Sequence, residues 1–277
     1  MAGKGNKKRI SQPTTEYDSP WKLIIEDLFE QFLEFFFPQI YTDIDFSREY
    51  EVMSNELYKL LKDQNIGKRY TDELIKVFLK DGTEKWLLIH IEIQNYKEKE
   101  FAKRMYIYHY RIFDRYGHEV VSLVVFTDPD VTYRPDTYKH ERWDFKHIMK
   151  FPVVKIIDFK ERTAELEAMS HPMAVIVLAQ LQHIELKKKE PGERYDAKIM
   201  LIRMLFRKGF TKEQIFKIFQ FIDWLLLLPE NLDDKITDEL KKLGEEERMT
   251  YVTHMERIAE KRGKKEGKKE GKKEGKN

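Results

Sequence analysis

The amino-acid sequence predicts an α/β fold followed by an all-helical region. Apolar residues recur with helical spacing between Trp21 and Phe36, alternate with polar residues over 70–94, and return to helical spacing after Arg162. Helical spacing is typical of helices with one buried face, and alternation is typical of half-buried strands. The order before Arg162 is helix, strands, helix and strand, which is the order of an α/β arrangement.

The first predicted element is a single helix that begins near Pro20. Asp18 or Ser19 can cap it, because short polar side chains bind the free amides at a helix start, and proline suits the first turn. Pro38 is expected to end it. A second helical stretch is predicted over about residues 50–62.

Two alternating stretches, residues 70–79 and 85–94, flank the dipeptide Asp81-Gly82. Asp-Gly is a strong signal for a tight hairpin turn, so the two stretches are expected to pair as antiparallel strands. Alternate residues of the second stretch belong to opposite faces. The face expected in the core consists of Leu87, Ile89, Ile91 and Ile93, and the other face of Leu88, His90, Glu92 and Gln94.

The rest of the chain is predicted to contain one more helix, two strands and then four helices. Gly117 is expected to end the first of these helices, and Thr211 with Gln214 makes a capping box for a later one. The predicted ranges are helix 98–116, strands 120–126 and 153–158, and helices 164–186, 194–208, 211–228 and 233–243. The all-helical part is either a separate region or a cap packed on the sheet.

The composition excludes several classes of protein. The 277 residues include no cysteine, which excludes disulfide frameworks, thiolate zinc sites and cysteine nucleophiles and is typical of a reducing cytoplasm. No run reaches the roughly 18 apolar residues that a membrane helix needs, and the amino terminus lacks the apolar stretch of a signal peptide. A cytoplasmic protein without a membrane partner is therefore expected.

The net charge of +2 is an average over unlike segments. Residues 1–9 carry four basic and no acidic groups, and residues 261–277 carry nine basic and three acidic groups, which leaves about −8 for the body between them. The predicted segments are a flexible basic arm (1–17), an α/β domain (18–160), a helical region (161–260) and a low-complexity Lys/Glu/Gly tail (261–277). The arms could supply non-specific affinity for DNA through counterion release, or serve solubility or an oligomer of identical chains.

Acidic residues on the predicted hairpin are the strongest chemical signal. Asp72 and Glu92 lie about equally far from the turn, so an antiparallel pair places them side by side. Adjacent carboxylates repel unless a cation lies between them, and Mg²⁺ prefers one or two carboxylates with water and phosphate oxygens. Such a site would activate a water for attack on a phosphodiester, and Gln94 could orient that water. The alternative is that Asp72 and Glu92 are ordinary polar residues at strand ends.

Several motifs resemble, in order, those of one nuclease family. They are Asp72-Glu73-Leu74-Ile75-Lys76-Val77, Asp81-Gly82 and His90-Ile91-Glu92-Ile93-Gln94, with flanking Asp18-Ser19-Pro20-Trp21-Lys22, Glu34-Phe35-Phe36-Phe37-Pro38, Asp43-Ile44-Asp45 and Arg104-Met105-Tyr106-Ile107-Tyr108. Residues 18–160 thereby resemble Rpn, the recombination-promoting nucleases of the PD-(D/E)XK superfamily, which also carry the label transposase. The resemblance implies a restriction-endonuclease-like core, cleavage of DNA with Mg²⁺ or Mn²⁺, and a link to recombination and mobile elements.

By the same resemblance, Asp72 corresponds to the first acid of the motif and Glu92 to the second, and both are expected to hold the metal. Gln94 occupies the position where the superfamily more often has a lysine that positions the water. The Glu-x-Gln form is itself common in the family. Lys76, four residues after Asp72 on the same strand face, is a candidate for a substitute cation.

Side chains outside the hairpin complete the predicted site. An accessory acid often comes from the first helix, and the alternative for each candidate is a solvated helix face. The candidates are Glu26, Glu30 and Glu34. Three arginines on the helix after the hairpin could contact DNA phosphates, which position DNA without reading its sequence, or form salt bridges with the acidic body. These are Arg104, Arg111 and Arg115.

The sequence therefore predicts a metal-dependent DNA endonuclease of low sequence specificity. The alternative is a catalytically silent nuclease fold that binds DNA or protein, suggested by Gln94 in the lysine position and by the acidic body. A strand-transferring transposase rests on the family label alone, since no third acid at a supporting spacing accompanies Asp72 and Glu92.

Overall fold

The computed structural model describes residues 20–53, 73–81 and 86–240, with the backbone alone at 86–92, 94, 230 and 237–240. Within these ranges the protein is mixed α/β, as predicted. The helices are α1 (Pro20–Asp27), α2 (Phe29–Phe36), α3 (Pro38–Asp43), α4 (Phe101–Tyr116), α5 (Thr163–Ala168), α6 (Pro172–Leu186), α7 (Pro191–Arg207), α8 (Lys212–Leu225) and α9 (Glu230–Leu240). The strands are β1 (Glu51–Val52), β2 (Glu73–Phe78), β3 (Trp86–Gln94), β4 (Val120–Phe126), β5 (Thr137–Arg142), β6 (Phe145–Lys150) and β7 (Val153–Lys155). None of the helices in these ranges is long and apolar enough to cross a membrane.

Five strands form one mixed sheet in the order β1-β2-β3-β4-β7, and β5 and β6 form a separate hairpin. Neighbours are antiparallel from β1 to β3 and parallel from β3 to β7. α4 connects β3 to β4, since parallel neighbours need a crossover connection. The sheet therefore changes from antiparallel to parallel at β3, its central strand.

The predicted hairpin of β2 and β3 is confirmed. Glu73 lies opposite Ile91 and Phe78 opposite Trp86, and the chain turns at Lys80 and Asp81. The other predicted turn residue, Gly82, lies outside the described residues.

The two faces of the sheet pack against different layers, because successive strand residues point to opposite sides. Ile75 and Val125 belong to a core that they share with α1, α2 and the C-terminal helices. Leu74 and Phe126, on the other face, contact α4. The sheet is thus covered by helices on both faces.

The C-terminal helices form a cap on the sheet and on α1, and this decides between the two predicted arrangements. α1 contacts α8, and α6 contacts α2, α7 and α8. α6 is buried over most of its circumference, as a central helix should be. The indole of Trp21 donates to Gln180 Oε1 at 2.9 Å and meets the ring of Phe221 edge to face. These contacts join the two ends of the described chain in one core.

Two of the predicted helix-end signals, Thr211 and Gly117, are confirmed. Thr211 Oγ1 accepts a hydrogen bond from the backbone N–H of Gln214 at 3.2 Å, and Gln214 Oε1 accepts one from the backbone N–H of Thr211 at 3.0 Å. Gly117 ends α4 with a φ of 67°, a left-handed conformation that glycine adopts at little cost.

The single helix predicted before Pro38 is interrupted. Leu28, with φ of −131° and ψ of 37°, leaves the helical region between α1 and α2. Its amide still donates to Ile24 O at 2.8 Å, and the Phe32 amide donates to Leu28 O at 2.8 Å. The interruption therefore costs little hydrogen bonding and lets both short helices bury their apolar sides.

The helix predicted over residues 50–62 is wrong where it begins. Glu51 pairs with Lys76 and Val52 with Ile75, because the edge of β2 offers backbone groups that another strand can bind. Residues 54–62 lie outside the described part of the chain.

Two predictions for the second half also change, and one element there was missed. The strand expected over 153–158 ends at Lys155, and Ile156–Arg162 forms a 3₁₀-helix with Ile156 buried. The helix expected over 164–186 is divided into α5 and α6, because a residue before proline is pushed out of the helical region and His171 precedes Pro172. The β5–β6 hairpin was not predicted.

Candidate active site

The carboxyl ends of β3, β4 and β7 lie at one edge of the sheet, because these strands are parallel. Gln94 lies opposite Phe126, and Phe126 lies opposite Lys155. α4 begins at the same edge, where the rings of Phe101 and Phe126 have centroids 5.2 Å apart. The carboxyl edge is defined here as this row together with the segments 95–100 and 127–136 that follow β3 and β4.

The predicted metal ligands lie at the limit of the described residues. Asp72 is outside them, and the side chains of Glu92 and Gln94 are outside the described part of β3. The last described pair at this end of the hairpin is Glu73 with Ile91, which is the register that a pairing of Asp72 with Glu92 requires. The pairing of the two carboxylates stays a prediction.

Arg104 lies at the carboxyl edge and forms the salt bridge that the sequence left open as an alternative. Only 6% of the residue is exposed. Its Nε and Nη2 donate to Glu98 Oε2 at 3.1 and 3.0 Å, and its guanidinium carbon lies 5.0 Å from the centre of the Phe101 ring. The salt bridge holds the segment after β3 against α4, so Arg104 is in a positioning role rather than on a phosphate-facing surface.

A buried ion pair that the sequence interpretation missed lies beside it. Lys155 Nζ lies 2.8 Å from Asp128 Oδ2 and donates to Tyr133 O at 3.0 Å. The Tyr133 hydroxyl donates to Glu98 O and accepts from the Glu98 amide, each at 2.9 Å, and burial raises the pKa of Tyr133. The signal in the sequence is a lysine inside the apolar run Val153-Val154-Lys155-Ile156-Ile157. Together these bonds tie the segments after β3 and β4 to β7.

Asp130 organises the rest of the segment after β4. Its Oδ1 accepts from the amides of Thr132 at 2.8 Å and Tyr133 at 3.0 Å, and its other oxygen pairs with Lys97. The Lys97 ammonium and the hydrogen bonds from Thr132 hold the pKa of Asp130 well below its usual range. This carboxylate is charged and already bound, which makes it part of the scaffold of the edge.

The structure does not bring Lys76 to Glu92. Lys76 Nζ lies 3.2 Å from Glu51 Oε2, and Lys76 is opposite Leu88 in the hairpin. Leu88 precedes Glu92 by four residues, which is about 13 Å along a strand. That distance exceeds the length of a lysine side chain, so Lys76 stabilises the β1–β2 pair instead of replacing a catalytic lysine.

Arg111 and Arg115 lie farther along α4. Arg115 is exposed and Arg111 is half-buried. At 1.5 Å per helical residue they are about 15 and 21 Å from Phe101 at the carboxyl edge. Neither arginine therefore belongs to the carboxyl edge itself.

The three candidate glutamates of the first helical segment each have a partner. Glu30 accepts a hydrogen bond from the Tyr41 hydroxyl at 3.4 Å. Lys22 Nζ lies 3.4 Å from Glu26 Oε1, and His171 Nε2 lies 3.3 Å from Glu34 Oε2. These contacts agree with a solvated, ion-paired helix face for Glu30 and its neighbours.

A buried carboxylate follows Asp72 directly. Glu73 begins β2 with its side chain fully buried, and Lys22 Nζ of α1 lies 2.8 Å from its Oε1. Burial lowers the pKa of Lys22, but the Glu73 and Glu26 carboxylates raise it by more, so the net shift is upward. Lys22 is the only basic residue between Pro20 and Phe36. It holds the start of β2, which directly follows Asp72, against α1.

Among the residues that the structure describes, no group of three or more His, Cys, Asp or Glu side chains is placed to hold a metal ion. No protein-family model, no curated protein and no solved structure matches the chain.

Proposed function

We propose that the protein is a DNA endonuclease of low sequence specificity that requires Mg²⁺ or Mn²⁺. The observation that carries the proposal is the register of β2 and β3, in which Glu73 lies opposite Ile91. One further step in this register would pair Asp72 with Glu92 near the carboxyl end of the central strand. Two neighbouring carboxylates are hard oxygen donors of the kind that Mg²⁺ prefers.

The order of elements supports a restriction-endonuclease-like core. α1 and α2 precede an antiparallel hairpin, and α4 then leads to β4, which runs parallel to β3. The resemblance of residues 18–160 to Rpn nucleases implies the same order of helix, hairpin, helix and strand. A role in recombination or in mobile elements rests on that resemblance.

Three residues carry the proposed chemistry. Asp72 and Glu92 hold the metal, and the Gln94 amide orients the attacking water or the scissile phosphate. A bound Mg²⁺ supplies activation of that water and stabilises charge on the phosphodiester. Arg104 acts through Glu98, since its salt bridge holds the segment that directly follows Gln94.

Plasmid nicking in the presence of Mg²⁺ tests the proposal. Asp72→Asn and Glu92→Gln preserve side-chain size and remove the charge, so each should lower the nicking rate by about 100-fold or more, given that even outer-shell partners of metal ligands contribute 10–100-fold. Glu119→Gln is the matched control, because Glu119 is an exposed carboxylate just before β4, at the opposite edge of the sheet. Equal nicking by wild type, Asp72→Asn and Glu92→Gln would refute the assignment.

One observation favours the alternative of a catalytically silent module. Lys76, the candidate for a substitute cation, is bound to Glu51, and Arg104, a candidate for a phosphate contact, is bound to Glu98. Calorimetric titration with Mn²⁺ separates the two functions. A nuclease should bind Mn²⁺, and its Glu92→Gln variant should not. A silent module should bind DNA but not Mn²⁺.

Two further parts of the proposal rest on the sequence. The absence of cysteine supports a cytoplasmic location, where thiols would stay reduced. An oligomer of identical chains stays a prediction that the mass of the purified protein in solution would test.

A further inference from the structure

The β5–β6 hairpin stands out from the described chain as an exposed ribbon. Its six residue pairs run from Thr137 opposite Lys150 to Arg142 opposite Phe145. Every residue from Lys139 to Lys146 is exposed, so both faces of the outer half are in contact with solvent. Antiparallel hairpins normally bury one face, and the outer half of this one buries neither.

The tip of the ribbon carries a large aromatic side chain in an unfavourable backbone conformation. Trp143 is 89% exposed and has a φ of 51°. Two-residue turns of this kind favour asparagine or glycine, and a bulky residue with positive φ is uncommon. Backbone strain of this type is often retained for function. Phe145, which follows the turn, is also exposed at 60%.

Basic residues surround these rings. Residues 137–150 include four lysines or arginines and two carboxylates, a net charge of +2, whereas the body of the chain is acidic. The Arg142 guanidinium carbon lies 4.7 Å from the centre of the Trp143 ring. Rings interleaved with cations complement a ligand that has both flat rings and negative charge, which is the chemistry of a nucleic acid.

The base of the ribbon is attached to the helix that begins at the carboxyl edge. The rings of Tyr138 and Tyr106 are stacked, with centroids 4.6 Å apart and an interplanar angle of 10°, and His147 meets Tyr106 at 4.7 Å. Phe151, just after the ribbon, packs near Phe101 in the first turn of α4. From Tyr138 the ribbon extends four residues, about 13 Å, to its turn. The tip is therefore held at a defined distance from the edge.

Glu141 pairs with Lys139 and Lys146. We propose that Trp143 and Phe145 stack on unpaired bases of DNA and that Arg142 binds a phosphate of the same strand. Unpaired bases are favoured over a duplex because a base that is already stacked in a duplex must first be unstacked, which costs free energy. The inference deepens the proposed function, on which it rests, by naming the part of the chain that holds the DNA beside the site of cleavage.

Fluorescence anisotropy with a labelled strand of about 16 nucleotides, in EDTA, tests the inference. Trp143→Ala should weaken binding about tenfold, as expected for loss of one stacked base, and Trp143→Phe should restore most of it. Trp143→Asn suits the turn better, so it should preserve or raise the melting temperature while weakening binding as Trp143→Ala does. An abasic strand of the same length keeps the phosphates without the bases, so wild type and Trp143→Ala should bind it equally.

Each other result overturns the inference. Wild-type affinity of Trp143→Ala for the strand would show that the indole does not stack. An equal loss on the abasic strand would indicate an effect on charge or folding, and an equal loss on a duplex of the same sequence would exclude a preference for unpaired bases. The comparison of wild type with Trp143→Ala in EDTA requires neither a metal nor cleavage, so it is independent of the nicking assay. A failure of the cleavage proposal would appear in the nicking assay in Mg²⁺ and not in the binding assay in EDTA, so it is distinguishable from a failure of this inference.

Discussion

Replacing Lys155 by methionine should destabilise the protein more than the loss of a surface ion pair does. The Lys155 and Asp128 side chains are 1% and 2% exposed, and their charged atoms lie 2.8 Å apart. Methionine fills a similar volume and removes the charge, so Asp128 is left buried opposite an apolar side chain. Breaking a buried ion pair on one side costs about 3–5 kcal/mol, because the remaining charge has lost both water and its partner.

A matched control separates burial from the loss of a salt bridge. Arg162 pairs with Glu165 while both side chains stay about half exposed, at 52% and 47%. Exposed pairs of this kind contribute about 0–1 kcal/mol, so Arg162→Met should have a small effect. The expected difference between the two variants is therefore about 3 kcal/mol, against a total stability of about 5–15 kcal/mol for a typical domain.

Urea unfolding at neutral pH measures the free energy of unfolding for wild type, Lys155→Met, Asp128→Asn and the double variant. Asp128→Asn keeps an acceptor for the Asp130 amide, which donates to Asp128 Oδ1 at 2.9 Å, and removes the charge. In the double variant no charge is buried, so it should be more stable than Lys155→Met. A Lys155→Met variant as stable as Arg162→Met, or a double variant with additive losses, would refute the reasoning.

Three more predictions concern pH, capping and the arms. Burial lowers the pKa of His183, so the unfolded chain binds a proton at His183 more readily, and the melting temperature should fall as pH drops below about 6.5. His183→Gln keeps a donor near Leu225 O and should show a weaker fall of the melting temperature. A fall equal to that of wild type would contradict the prediction. Thr211→Ala should lower the free energy of unfolding by about 1 kcal/mol by removing the cap, while Thr211→Ser should restore most of it. Deleting 1–17 and 261–277 should reduce both the DNA affinity and its dependence on salt; unchanged binding by the trimmed chain would leave the arms a role in solubility alone.

The sequence predicts the central hairpin well because the signals are local. Alternation over 70–94 and the Asp81-Gly82 turn specify two neighbouring strands, and the register has Glu73 opposite Ile91. Because the period of a strand is two residues, this register also sets which residues share a face. The prediction of Asp72 beside Glu92 depends on the same local signals.

The exposed ribbon of β5 and β6 could not be predicted in this way. A strand is recognised in a sequence by apolar residues on alternate positions, and this ribbon buries neither face in its outer half. Its turn also lacks the usual glycine or asparagine, since Trp143 and Asp144 occupy it. The exposed residues on both faces of the ribbon favour binding, and they also remove the alternation by which a strand is predicted.

The sequence by itself determined the central hairpin, the order of α4 and β4 after it, and the capping box of Thr211, because each depends on residues within a few positions of one another. Only the tertiary structure decided the partners of the charged side chains: Arg104 with Glu98, and Lys155 with Asp128. The free energy of an ion pair depends on burial and on distances between segments that are far apart along the chain. For that reason the sequence left both a phosphate contact and a salt bridge open for Arg104, and it gave Lys155 no predicted role.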